Sequence, residues 1–235
     1  MDNTYLSTHI PRETGIPADF PLKCYRPAPN DIPPCPEILV GMDSGVSNTA
    51  FSCIELIRDK NINAVIDFRY IGTYYFREEL DRFTCQMDRQ IYLAKQYYDL
   101  FSHRRVRSLT YELLPLTSIK NEETLKGVIQ AQATTNLINT VAYQLNHPFR
   151  PVPATSIKYC LTQNGKATKN DMCIGAYACT NDEELLHNDH MADAFACCFY
   201  SFIQALKESC VYYKSPIPPK YADMGWNFKT MQKTP

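Results

Sequence analysis

Apolar positions early in the chain fall into three short runs, Ile38–Asp43, Ala50–Ile57 and Ala64–Tyr75, set apart by a Ser-Gly-x-Ser-Asn turn and by the polar break 58–63. Runs of this length bounded by turn residues predict strands, here an antiparallel meander. From Glu78 to Phe101 the pattern changes: Leu80, Phe83, Met87, Ile91, Ala94, Tyr98 and Phe101 recur at steps of three and four, which predicts a helix. Val106–Tyr111 returns to strand. A second amphipathic helix is written by Leu125, Val128, Ile129, Ala133, Leu137, Ile138, Val141, Ala142 and Leu145, and Pro148 lies just beyond its end. Phe149–Pro153 predicts a short strand, and 156–161 and 169–179 predict short helices. The last long helix, Asp189–Leu206, is apolar nearly all round, so it must be packed on most sides.

Proline-rich stretches flank this core. The prolines at 27, 29, 33, 34 and 36 mark residues 1–36 as an extended N-terminal lead-in, 37–210 as the folded domain and 211–235 as a tail. With 235 residues, 45% of them hydrophobic, the chain can bury a substantial core, and it shows no internal repeat. A formal charge of −1 supplies no global attraction for nucleic acid, so DNA binding must come from local basic patches. The ten cysteines are scattered, form no Cys-x-x-Cys pair and fall partly inside apolar patterns. Reduced, buried thiols in a reducing compartment are the expectation, with no zinc ribbon. Charged residues and prolines interrupt the first twenty positions where a signal peptide needs an apolar run, and no segment is apolar enough to span a bilayer. A soluble intracellular protein is expected, with no membrane partner, in the cytoplasm or in a host cell's cytoplasm if phage-encoded.

The candidate chemistry lies at the ends of the predicted elements. Ile38–Leu–Val–Gly–Met–Asp–Ser–Gly45 runs a strand straight into Asp43. Leu109–Thr–Tyr–Glu112 ends a second strand in a carboxylate, and Asn188–Asp–His–Met–Ala–Asp193 opens the apolar helix with a third acidic cluster. Each alone is an ordinary turn, surface residue or cap; three in this order form the donor set a hard cation needs, since Mg²⁺ takes oxygen ligands from separate elements. His190 and Asp193 are three apart and Asp189 and Asp193 four apart, so both pairs share a helix face. Either His190 or Asp189 could complete the set, and Asp189 could instead cap the helix.

The order β-β-β-α-β-α-β-α-α, together with these motifs, resembles the RuvC-type Holliday-junction resolvases of the RNase H-like superfamily, over roughly Glu37 to Leu206. Gly41–Met–Asp–Ser–Gly45 resembles the first family motif, with Ser44 where proline is usual, and Tyr111–Glu112 resembles the second. Ser156–Ile–Lys158 and Gly165–Lys–Ala–Thr–Lys169 resemble the basic segment before the last motif, which His190–Met–Ala–Asp193–Ala resembles, with histidine where many members carry aspartate.

The resemblance implies an α/β fold, a mixed five-stranded sheet flanked by helices. It implies a crossover junction endodeoxyribonuclease of DNA recombination and repair, cutting four-way junctions as a homodimer. Asp43, Glu112, His190 and Asp193 would be the catalytic metal-binding set, with two Mg²⁺ per site and Mn²⁺ accepted, and the family spacing favours His190 over Asp189. Lys158, Lys166 and Lys169 would contact substrate phosphates, although a solvated helix face is the default for lysine. The helix at 123–145 would form the dimer interface, unless its apolar face simply covers its own sheet. Two alternatives stay open: a broader branched-DNA nuclease of the same fold, and a non-catalytic RNase H-like module that binds nucleic acid. An actin-like ATPase also begins with a strand and an Asp-x-Gly turn, but the later Gly-rich phosphate loops are missing.

Overall fold

The structure, a computed structural model, describes residues 36–45, 48–77, 83–114 and 121–225. The expected N-terminal lead-in therefore lies, but for Pro36, outside the described residues. Three strands come first, β1 (Glu37–Ser44), β2 (Asn48–Arg58) and β3 (Val65–Arg77), followed by α1 (Gln86–Phe101), β4 (Arg105–Leu113), α2 (Glu122–Gln144) and β5 (Phe149–Pro153). The rest is helical: α3 (Ala154–Thr162), α4 (Lys169–Thr180), α5 (Glu184–His187), α6 (Asp189–Tyr213) and α7 (Pro219–Asp223).

The strands form one mixed five-stranded sheet in the order β3-β2-β1-β4-β5. The meander β1-β2-β3 is antiparallel, whereas β4 joins β1 and β5 joins β4 in parallel. β1 is thus the centre of the sheet, which is why its residues 38–42 are all buried although their side chains alternate between faces. Ile38, Val40 and Met42 enter a core shared with Tyr97 and Phe101 of α1 and Ile138, Val141 and Ala142 of α2. Leu39 enters the opposite core, which is dominated by α6.

The near-uniform apolarity of α6 has the reason read from its sequence. It lies on β1, β2, β3 and β4 and is covered in turn by α3, α4 and α5. Phe195, Phe199 and Phe202 surround Phe68 of β3, the closest ring centroids 4.9 Å apart in an edge-on pair. Each such ring removed from water contributes about 1.5–3 kcal/mol.

Three boundaries differ from the sequence reading. α1 begins at Gln86, not Glu78; Phe83 precedes it and packs on Tyr92 at 5.5 Å, so its helix-like spacing serves a contact from outside the helix. The start of the expected helix, residues 78–82, lies outside the described residues. α6 runs on to Tyr213, with Ser209 and Cys210 still buried. The tail placed at 211–235 also begins too early. Tyr221 of α7 is 1% exposed against Phe202, and its hydroxyl donates to Asp67, so the packed structure reaches at least that far.

Among the described residues every cysteine is free. Burial pushes the thiols of Cys160, Cys197 and Cys198 well above the ordinary thiol range, which leaves them inert packing groups. No helix of the described residues is long and apolar enough to cross a membrane.

Candidate active site

β1 and β4 run parallel with Met42 opposite Tyr111, so the next residue of each, Asp43 and Glu112, lies at the same end of the sheet. Alternation fixes their face. Met42 and Tyr111 point into the α1/α2 core, and the two carboxylates therefore point toward α6. α6 starts at that end, its first turn carrying Asp189 and His190 and the next Asp193. The imidazole of His190 reaches back to β1, its Nδ1 2.6 Å from Asp43 Oδ2. Ser44, the residue after Asp43, is tied to the α2 side by a 2.5 Å contact between its Oγ and Thr135 Oγ1.

The electrostatics record how closely these groups crowd. Burial, followed by the charges of Asp43, Glu112 and Asp189, pushes the Asp193 carboxyl up to about 7. Glu112 is also raised, first by burial and then by Asp43, with Lys158 opposing. His190 is shifted up chiefly by its hydrogen bond to Asp43. Among the described residues, no three of these side chains close on a common point as a formed metal cage.

That charge pattern fits a divalent cation. Three carboxylates and one imidazole, two of the acids held toward protonation first by burial and then by their neighbours, make an oxygen-rich set with one nitrogen, suited to Mg²⁺ or Mn²⁺. The residues that would hold it are Asp43, Glu112, Asp193 and His190.

Asp189 turns elsewhere. Its carboxylate pairs with Lys169, and this bond holds it below the ordinary aspartate range. Nor does it cap α6: Asn188 does, its Oδ1 accepting from the Met191 amide at 3.2 Å. The cap reading is thus corrected by one residue. Asn and Asp stand side by side here, both are strong caps, and the backbone leaves the helical region at Asn188.

The three lysines have distinct surroundings. Lys169, exposed at the start of α4, feels Asp193 and Asp43 as well as its partner Asp189. Lys158 of α3 donates to the Ala167 carbonyl at 3.0 Å, which pins the 165–168 loop, and it lies near enough to Glu112 to oppose the rise of that acid. Lys166 is exposed on the same loop.

Two residues of the site carry no motif. Asn48 opens β2 and places Nδ2 3.1 Å from His190 Nε2, and the Tyr75 hydroxyl donates to Asn48 Oδ1 at 2.7 Å. The Tyr75 ring also stacks on His190, centroids 6.3 Å apart and planes 16° apart. Strand register explains the meeting, since Asp43, Ala50 and Tyr75 form one rung across β1, β2 and β3. Tyr75 reaches this face because β3 slips by one residue: Cys53 pairs with Gly72 but Ile54 with Tyr70. This bulge moves the α6-facing positions from 68 and 70 to 73 and 75. Gly72, at φ +154°, supplies the backbone conformation.

No family model and no curated protein matches this chain. Solved structures do. The fold defined by the sheet order and the helices on its two faces is the RNase H-like fold of RuvC-type resolvases. The RuvC structure of Thermus thermophilus superposes with a TM-score of 0.57 at 12% identity, over 71% of this chain and 95% of that one. T. thermophilus RuvC in complex with a Holliday junction substrate superposes at 0.60 with 13% identity, over 73% and 96%. At such identities the likeness establishes architecture.

Proposed function

We propose that this protein is a metal-dependent endonuclease that resolves four-way DNA junctions by hydrolysing phosphodiesters at the Asp43, Glu112, Asp193 and His190 site. The observation that carries the reading is that β1, β4 and α6 bring these four residues to one end of the sheet, with His190 hydrogen-bonded to Asp43. The fold neighbour that was solved with a Holliday junction supports the choice of substrate. A module that only bound DNA would have no use for three half-buried acids gathered at one end of the sheet.

Asp43 and Glu112 are held rigidly by the central strands, so the ligand positions are set before substrate arrives. Bound Mg²⁺ ions would supply an activated water and charge stabilisation at the scissile phosphate. Lys169 is three-quarters exposed and flanks the acids, which suits it to a non-bridging phosphate oxygen once substrate competes with Asp189. Lys158 is placed to orient Glu112 and to hold the basic loop that carries Lys166.

Pairing of two copies supplies two cuts. α2 covers its own sheet with Ala131, Thr135, Ile138 and Ala142 but leaves Leu125 and Ile129 exposed on its first half. We assign that strip to a two-fold dimer contact, because a four-way junction is itself pseudo-two-fold and a C₂ dimer presents equivalent sites to strands of like polarity.

The test is direct. Purified protein is incubated with four-way, flap, duplex and single-stranded DNA in Mg²⁺, Mn²⁺ or EDTA, and the cuts are mapped. Paired nicks in strands of like polarity near the branch point, lost in EDTA, are expected. Equal cutting of flaps and junctions would favour the broader branched-DNA nuclease, and no cutting of any substrate in either metal would leave only a binding module.

A further inference from the structure

The last residue of β3 brings one more cation to the face of the sheet that carries the acids. Phe76 turns toward α1, its ring centroid 6.0 Å from that of Phe51 and 6.5 Å from that of Tyr92. Side chains alternate along a strand, so Arg77 lies on the opposite face, the one on which Tyr75 meets His190. Register fixes its place along the sheet. Asp43, Ala50 and Tyr75 share a rung, and Arg77 stands two residues farther out, paired with Asn48, whose carbonyl accepts from the Gly45 amide at 2.7 Å. Because Phe76 is packed against the core, this position is held although Arg77 itself is exposed.

We propose that Arg77 is a substrate-binding residue that grips a phosphate flanking the scissile one, on the side of the site away from Lys158. This rests on the nuclease reading of the site. Arg58, Arg69, Arg105 and Arg107, in β2, β3 and β4, are each paired with a glutamate. Among the described residues the Arg77 guanidinium has no hydrogen bond and no ion pair, so its charge and its donor fork are unspent. A planar fork of this kind matches the oxygens of a phosphodiester. Distance decides which phosphate. Two strand spacings of about 4.8 Å and two residues of about 3.3 Å separate its Cα from that of Asp43, roughly 12 Å in all, which suits a neighbouring phosphate and not the reacting one. In the sheet order β3-β2-β1-β4, Lys158 stands by Glu112 on the β4 side of Asp43 and Arg77 on the β3 side. A DNA strand laid across the acids is then held at both flanks, which fixes the scissile phosphate between two points.

The experiment uses the full-length chain and a four-way DNA junction whose cut positions are first mapped with wild-type protein in Mg²⁺. Neutral methylphosphonates then replace, one at a time, the two phosphates on either side of a cut. Binding of each junction is measured in EDTA, as a function of salt, for wild type, Arg77→Ala and Arg77→Lys. Neutralising one flanking phosphate should weaken wild-type binding about tenfold, the low end for a charge-assisted hydrogen bond. The same replacement should have no further effect on Arg77→Ala, because the charge it would have met is already gone. On the unmodified junction Arg77→Ala should lower the slope of log affinity against log salt by about 0.9, whereas Arg77→Lys, which keeps the charge and loses the fork, should hold the slope and bind more weakly.

An Arg77→Ala variant with the wild-type slope overturns the inference and leaves the nuclease reading standing. So does a variant that remains as sensitive as wild type to every neutralised phosphate. A wild type that cuts no DNA overturns the nuclease reading and this inference with it.

Discussion

The carbonyl oxygen of Ala194 lies 2.0 Å from where a β-carbon on Gly41 would stand, and the Cys198 amide nitrogen lies 2.4 Å from the same point. No side chain fits between β1 and α6 at this crossing. The glycine two residues before Asp43 is what lets α6 lie directly on the central strand, and α6 carries His190 and Asp193. Site geometry and core packing are therefore one constraint here.

Gly41→Ala should accordingly cost at or above the upper end of the ~1–3 kcal/mol typical of overpacking, because both obstacles are backbone atoms and the helix itself must move. Mg²⁺ affinity should fall with stability, since the displaced helix carries His190 and Asp193, two of the proposed ligands, away from Asp43 and Glu112. Chemical denaturation and calorimetry check the two effects; a variant as stable as wild type would show that α6 does not rest on Gly41 as described.

Asp43→Asn removes a charge from the centre of the site without changing volume. Cleavage in Mg²⁺ should be abolished while junction binding in EDTA stays close to wild type. Near-wild-type cutting by this variant would remove Asp43 from the metal-binding set, and the central assignment with it.

The first turn of α6 separates capping from chemistry. Asn188→Ala should cost ~0.5–2 kcal/mol of stability as the loss of a cap. Asp189→Ala breaks only an exposed pair with Lys169, worth about 0–1 kcal/mol, and should leave cleavage near wild type. His190→Ala should lower turnover severely with little effect on the melting temperature. If Asp189→Ala lost activity while His190→Ala still cut, the two residues would have to exchange roles.

Much of this was legible in the sequence because burial leaves a period. The run 38–42 and the helix containing Phe195, Phe199 and Phe202 had to be interior, and a carboxylate at the end of such a strand had to be held at its rim. Asn48 and Tyr75 were not legible. Their meeting with His190 depends on the β1-β2-β3 register and on a one-residue slip at Gly72, neither of which a polar residue at a strand end or a tyrosine in an apolar run announces. Proline content hid the C-terminal packing in the same way: Tyr221 docks through one ring and one hydroxyl bond to Asp67, a contact with no periodicity.

Metal-free protein should lose stability as pH rises. The Asp193 carboxyl, held at about 7 in the fold, binds its proton more tightly folded than unfolded, where an aspartate titrates near ~3.9. Its stabilising contribution is fully present below the unfolded value and is lost as pH climbs through the folded one. Glu112 and His190, both shifted upward, act in the same sense. Melting temperatures in EDTA should therefore fall between about pH 5 and pH 8, with Mg²⁺ restoring stability most at the upper end. Asp193→Asn should flatten the EDTA profile, and an equally steep profile in that variant would place the titrating group elsewhere.

Substrate grip should reside in a few local cations, because the chain as a whole carries a formal charge of only −1. Lys169 is exposed and beside the acids, and Lys158 stands close to Glu112 while pinning the loop that bears Lys166. If Lys169 neutralises one phosphate, Lys169→Ala should reduce the slope of log affinity against log salt by about 0.9, the duplex value per contact. Lys158→Ala should change the slope by less than Lys169→Ala does and should loosen the loop, so its cleavage defect should exceed its binding defect. Slopes measured on a four-way junction in EDTA keep binding separate from cutting. Unchanged slopes together with unchanged cleavage in both variants would return these lysines to an ordinary solvated face.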